Sequence, residues 1–347
     1  MKVRSLLACF ALVLSSLHLP AIAQSVSLVP TKWASSHYVN HPLVGQIYQA
    51  NGKQISEDFL LKQAGQTRFV LLGEIHDNPD HHKIQANIIS AIANQQRRPS
   101  IVFEMVPRRL AAQLGNFDLV NDPQLNEFAK RLEWEKRGWF SWDIYRPIAL
   151  AAATNDLPMV AGNLDRTTTR KISKEGMSAL DEAEQVTFGL DTSLPQILEE
   201  QLNEELRQSH CNLIPEKMLP SMVTVQRAKD GSMADAMIQA DNEFGSVLIA
   251  GNGHIRKDLG VPFALRHRLG GSRGDSGKND NQATGSNNLA IALVEVSSDL
   301  SKFADYALNS STGEPLYDIV IFTPKFDTTD HCALMRAQFK KMKKNKP

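Results

Sequence analysis

Four short apolar runs punctuate the chain, and each one stops at polar residues. Phe69-Val70-Leu71-Leu72 leads into Gly73-Glu74-Ile75-His76, and Ser100-Ile101-Val102-Phe103 ends at Glu104. Pro158-Met159-Val160-Ala161 ends at Gly162-Asn163, and Val247-Leu248-Ile249-Ala250 ends at Gly251-Asn252-Gly253-His254. Continuous runs of this length predict strands buried on both faces, as in parallel sheets covered by helices. Residues 289–296 and 319–322 add two further strand candidates.

The intervening stretches carry a helical period. Asn78-Pro79 predicts a helix start, and Ile84, Ile88 and Ile92 recur every four residues on one face. Residues 107–114 and 147–153 give two more helical segments. Alternation of strand and helix predicts an α/β fold with a mostly parallel central sheet flanked by helices. Between residues 170 and 242 glutamate, glutamine, leucine, methionine and alanine dominate, which predicts an inserted helical subdomain. The core then spans 24–169 and 243–330, interrupted at 270–288 by a glycine-, serine- and asparagine-rich stretch that reads as a disordered loop. The basic end, 331–347, reads as a frayed, solvated tail, with attraction to an acidic membrane surface as the other reading.

Lys2 and Arg4, an apolar run over 6–19 and Ala21-Ile22-Ala23 have the layout of a secretory signal peptide over residues 1–23. Cleavage after Ala23 predicts an exported, periplasmic chain. Cys9 sits too early in the apolar run to serve a lipoprotein signal well. Cys211 and Cys332 would remain, and in an oxidising compartment they could pair. Lysine plus arginine total 38 and aspartate plus glutamate also 38, so no overall field draws the chain to nucleic acid.

Ligands of open α/β sheets bind outside the carboxyl ends of the strands. That edge would gather His76, Glu104 and His254, a set able to hold a divalent metal such as Zn or Mn, to work as an acid/base group, or to hold a ligand's carboxylates. The plainer alternative is a hydrogen-bonded network that satisfies buried strand ends. Asp77, Asp80, His81 and His82 crowd the first helix start; His81 leans towards the packed face, whereas His82 reads as turned away from it. Trp134, Trp139, Phe140, Trp142 and Tyr145 precede Arg146-Pro147. They form either core beneath the strand edge or a wall for a flat ligand, and haem iron accepts histidine or tyrosine. No Cys-x-x-Cys-His, Gly-x-Ser-x-Gly or phosphate-loop motif occurs.

Leu72-Gly73-Glu74-Ile75-His76-Asp77-Asn78-Pro79-Asp80-His81-His82 with Phe103-Glu104-Met105 resembles the opening signature of the ChaN family of haem-binding uptake proteins. Trp134, Gly138-Trp139, Tyr145, Ala161-Gly162-Asn163, His210-Cys211, residues 226–230 and Met233-Ala234 continue the likeness. Ala250-Gly251-Asn252-Gly253-His254-Ile255-Arg256, with Asp258 and Gly260-Val261-Pro262, is similar to the closing signature. The resemblance implies an exported protein of haem or iron acquisition, associated with the periplasm or outer membrane and its uptake components. It implies Tyr145 as the axial oxygen, His76, His81 and His254 at iron or propionates, and Arg146 or Arg256 pairing a propionate. Haem's two flat faces make a homodimer with a shared pocket an expectation. The same superfamily includes the Tiki metalloproteases and erythromycin esterases, which share Gly73 and His76. That kinship keeps open, as the alternative, a metal-dependent hydrolase acting on esters or peptides, with His76, Glu104 and His254 around the ion. A third possibility is an interaction module that docks through the helical segment.

Overall fold

The computed structural model describes residues 27–115, 117–119, 121–270 and 287–344. The signal-peptide reading falls on residues outside these, as does most of the 270–288 loop. Among the described residues the strands are β1 (Ile47–Gln49), β2 (Phe69–Glu74), β3 (Ser100–Pro107), β4 (Met159–Asn163), β5 (Ser246–Gly251), β6 (Asn288–Glu295) and β7 (Ile319–Thr323). They form one sheet in the order β1-β7-β6-β2-β5-β3-β4. All neighbours are parallel except β1, which pairs antiparallel with β7 at one edge. All six expected strands are present. β1 is additional to them; three residues give too short a pattern to read.

The helices are α1 (Glu57–Gln66), α2 (Pro79–Asn94), α3 (Asn126–Arg131), α4 (Trp142–Thr154), α5 (Arg166–Glu175), α6 (Glu182–Thr187), α7 (Gln196–Ser209), α8 (Leu219–Gln239), α9 (Val261–Arg268) and α10 (His331–Lys344). Alternation along each strand feeds two cores. Val70 and Leu72 of β2 join Ile84, Ile88 and Ile92 of α2 and Ile148 of α4 on one face. Phe69 and Leu71 join Met233 and Met237 of α8 and Val261 of α9 on the other. Full burial of each such side chain contributes about 1.5–3 kcal/mol relative to exposure.

Asn78 caps α2, its side-chain oxygen accepting from the backbone N–H of Asp80 and, more weakly, of His81, with Pro79 in the first turn. Residues 107–114 form a 3-10 helix over Arg108–Gln113 rather than an α-helix. α4 starts five residues before the expected position. Ser141 caps it, and burial of Trp142 and Tyr145 holds the first turn although Pro147 removes a backbone donor further in.

Residues 170–242 are helical, but they do not all stand apart from the sheet. Leu198, Leu202 and Leu206 of α7 pack with Leu219 and Val223 of α8 in a small separate cluster. The second half of α8 covers the sheet directly through Met233, Ala234, Ala236 and Met237. The C-terminal segment, expected to be frayed, is helical as α10. A disulfide from Cys332 in its first turn to Cys211 just after α7 fixes its start, with the Cα atoms 5.3 Å apart.

Candidate functional site

Strand register builds the site. Leu72 pairs with Ile249, and Glu74 lies level with Gly251; on the other side of β5, Phe103 pairs with Ile249. The carboxyl ends of β2, β5 and β3 therefore bring Glu74 level with Gly251, and Glu104 to within one position of that row. Period-2 alternation sends the two carboxylates to opposite faces. Glu74 follows Val70 and Leu72 towards α2 and α4, and Glu104 follows Val102 towards α8.

On the first face, Glu74 Oε1 accepts from His76 Nδ1–H at 2.7 Å and from the Tyr145 hydroxyl at 2.9 Å. Its Oε2 lies 3.2 Å from His82 Nδ1. Burial alone would raise the Glu74 carboxyl, but His82 and His76 outweigh it and hold the group well below the usual carboxylate range. His82 also donates from Nε2 to the His76 carbonyl, at 3.2 Å, and its ring lies 4.0 Å from that of Tyr145 between centroids.

On the second face, His254 is clamped between two carboxylates. Its Nδ1 lies 2.5 Å from Asp230 Oδ1, and its Nε2 lies 3.2 Å from Glu104 Oε1. Glu104 Oε2 accepts the Gly251 N–H at 2.8 Å. Burial lowers the His254 pKa, yet Glu104 and Asp230 push it up to about 10. Glu104, which burial would raise, is held down at about 2 by His254. The Asp230 pKa rises, because its desolvation exceeds what the shared imidazolium returns. Glu104 and His254 are thus an ion pair at neutral pH, with Asp230 against the other imidazole nitrogen.

The two faces meet over Gly251. A β-carbon there would come within 3.1 Å of His76 Nε2 and 3.8 Å of Glu104 Oε2. His76, Glu104 and His254 are therefore brought together as expected. Gly73 is an extended residue of β2, and it is needed because a β-carbon would lie 2.1 Å from Asn252 Oδ1.

The remaining expected ligands are placed otherwise. Tyr145 is only 2 % exposed, and burial together with Glu74 raises its pKa, so its oxygen is a neutral donor inside the wall and not an open phenolate. His81 is wholly buried; its Nδ1 accepts the Ile75 N–H at 2.9 Å, its Nε2 lies 2.8 Å from Thr323 Oγ1, and burial lowers its pKa to about 3. It is a neutral structural residue. The Arg256 guanidinium is engaged by Asp258 and Glu205, and that of Arg146 by Asp143. His254 has no nitrogen to offer a metal without breaking an ion pair. Among the described residues, the group with ligand atoms all within 4.8 Å is Asp77, Asp327 and His331, which does not include His76, Glu104 or His254.

Two members of the network lie outside the expected set. His82, expected to turn away, shares a helical stripe with Ala86 and Ile89, and that stripe packs beneath α4. Asp230 precedes Met233, Ala234 and Met237 at helical spacings of three, four and seven, a charge on an apolar face that marks it as buried.

His76 is the open member. Its side chain is 32 % exposed, and with Nδ1–H given to Glu74 the neutral ring would present its lone pair at Nε2. Trp139 meets the ring edge-on, with centroids 5.2 Å apart, and Phe140 next to it is 49 % exposed. Trp134, Trp142 and Tyr145 form the buried core behind them. A groove of about 550 Å³ lies elsewhere, between α2 and α4, and is lined by Lys32, Lys83, Ala86, Ile144, Pro147 and Leu150 among others. The chemistry lies at the strand ends, so we assign the site there.

Comparison with known proteins identifies the family. The sequence pattern of the family described as "Haem-binding uptake, Tiki superfamily, ChaN" matches residues 60–265, the span that contains every residue of both networks. No curated protein sequence matches the chain. Among solved structures, one described as "Cofacial heme binding to ChaN of Campylobacter jejuni" is similar at 21 % identity with a TM-score of 0.57, covering 79 % of this chain and 95 % of that one. The type III effector HopBA1 matches at 12 % identity and TM-score 0.40, over 77 % of this chain and 93 % of its own. A mutant of an erythromycin esterase, in its open conformation, matches at 12 % and 0.38, over 82 % and 99 %. The α/β fold and the 60–265 match agree: the chain belongs to the haem-binding uptake family of the Tiki superfamily, ChaN.

Proposed function

We propose that the protein binds haem at the strand-end edge, with His76 Nε2 towards the iron, as an exported component of haem or iron uptake. The carrying observation is the Glu74–His76 pair. A ligating histidine characteristically gives its other N–H to a carboxylate, which fixes the tautomer and raises the basicity of the ligating nitrogen. His76 has that arrangement, half-open beside Trp139 and Phe140. Bound haem would supply an iron able to take an imidazole nitrogen such as that of His76. Glu74 orients the ring, and Tyr145 orients Glu74. The Cys211–Cys332 disulfide supports export, because such bonds persist in oxidising compartments. A second copy of the chain closing over the other face of the haem, and delivery to periplasmic or outer-membrane uptake components, complete the reading.

The test is an absorbance titration of the mature chain with hemin. Wild type gives a saturating Soret shift, and His76→Ala weakens binding by roughly a hundredfold or more, beyond the range known for outer-shell changes. Absence of a shift in wild type, or equal affinity in the variant, would refute the assignment. Tyr145→Phe separates positioning from ligation. It keeps affinity within a few-fold, since the ring remains, and lowers stability by about 1 kcal/mol for the lost hydrogen bond. A loss as large as that of His76→Ala would make Tyr145 the ligand instead.

A further inference from the structure

We propose that α10 docks the protein onto an anionic phospholipid surface. The helix sorts its side chains by chemistry. Leu334, Met335 and Phe339 fall on one side of the helical repeat, and Leu334 and Phe339 are 53 % and 37 % exposed. None of the three joins any hydrophobic cluster of the described residues. Arg336, Lys340 and Lys341 are exposed as well, Lys343 and Lys344 follow in the sequence, and α10 contains no aspartate or glutamate. An apolar face in contact with water beside a purely cationic one is the combination that lies in the interface plane of a bilayer. Charge sign selects the occupant: anionic headgroups attract each basic side chain near the surface, an attraction that salt screens. Among the described residues no helix is long and apolar enough to cross a membrane, so α10 lies on the bilayer and does not pass through it.

Two features make α10 a firm point of attachment. The disulfide at Cys332 ties its first turn to Cys211, so force on the helix reaches the body of the protein. Its first residue, His331, lies with Asp327 beside Asp77, the residue next to His76. The helix therefore departs from the strand-end edge, and docking holds that edge near the headgroups. The docking itself is independent of the haem reading.

Flotation of the full mature chain with phospholipid vesicles tests it. The protein floats with vesicles containing about a third phosphatidylglycerol and not with pure phosphatidylcholine, and raised salt weakens the association. The double variants Leu334→Glu/Phe339→Glu and Lys340→Glu/Lys341→Glu each reduce binding at least about tenfold, with unchanged thermal midpoints because the sites are exposed. Failure of wild type to float, or flotation of both variants like wild type, overturns the proposal. So does a wild-type dimer that fails to float and that Leu334→Glu/Phe339→Glu splits, which would give the face to a second copy. A hemin titration run alongside keeps the readings apart: intact flotation without a Soret shift supports docking and counts against haem alone.

Discussion

Replacing His254 by alanine is expected to destabilise the fold by about 3–5 kcal/mol, the range for removing one partner of a buried ion pair. The loss leaves Glu104 and Asp230, 4 % and 3 % exposed, as two desolvated carboxylates with no cation between them. The pH dependence identifies the cause. In wild type the His254 pKa is raised from 6.5 to about 10, so its contribution is complete below 6.5 and is lost as pH rises towards 10. At its steepest this slope is about 1.4 kcal/mol per pH unit. Glu104 is lowered from 4.5 to about 2, so its contribution is present above 4.5 and is lost as pH falls towards 2. Thermal midpoints should therefore peak in mildly acidic buffer. In His254→Ala the alkaline slope disappears, and acid becomes stabilising because protonation relieves the bare carboxylates. Denaturation across pH checks this; an alkaline slope unchanged in the variant would place its origin elsewhere.

Breaking the Cys211–Cys332 bond should cost a comparable amount. The cysteines are 121 residues apart, and cross-linking a loop of that size removes denatured-state entropy worth about 3–5 kcal/mol in the chain-entropy model. Denaturant titration of the oxidised protein, the reduced protein and Cys332→Ser should give a lower midpoint for both thiol forms. α10 depends most on the bond, because its exposed face buries nothing, so helical content should fall before the sheet unfolds. Equal midpoints for all three forms would show that the cross-link constrains little.

Much of this is legible in the sequence, for a specific reason. The strands are buried on both faces, so they read as uninterrupted apolar runs, and the residue that ends each run lies at the functional edge. His76, Glu104 and His254 are visible for that reason. The partners are harder because they come from helices, where burial depends on what packs against the second side. The isoleucine stripe of α2 identifies the face on the sheet but not the face under α4, which buries His82. Tyr145 is recognisable as part of the site but its position is not, since sequence cannot distinguish an oxygen facing a ligand from one facing Glu74. The strand order is also invisible, because nothing local to β5 says that it lies between β2 and β3.

That order has a consequence for how the protein comes to exist. β2 and β3 follow each other in the chain but do not touch; the strand that joins them is made much later, with 147 residues between Glu104 and the Gly251 amide it binds. Contacts so distant in sequence form late, because loop-closure entropy must be overcome before they repay it. Until residue 251 is available, the two halves of the sheet have no common strand, and Glu74 and Glu104 belong to separate fragments. If the export proposed above takes the chain across a membrane unfolded, this delay is useful. Its N-terminal half cannot close into the finished sheet ahead of its C-terminal half, and the site itself is complete only once β5 has joined β2 to β3.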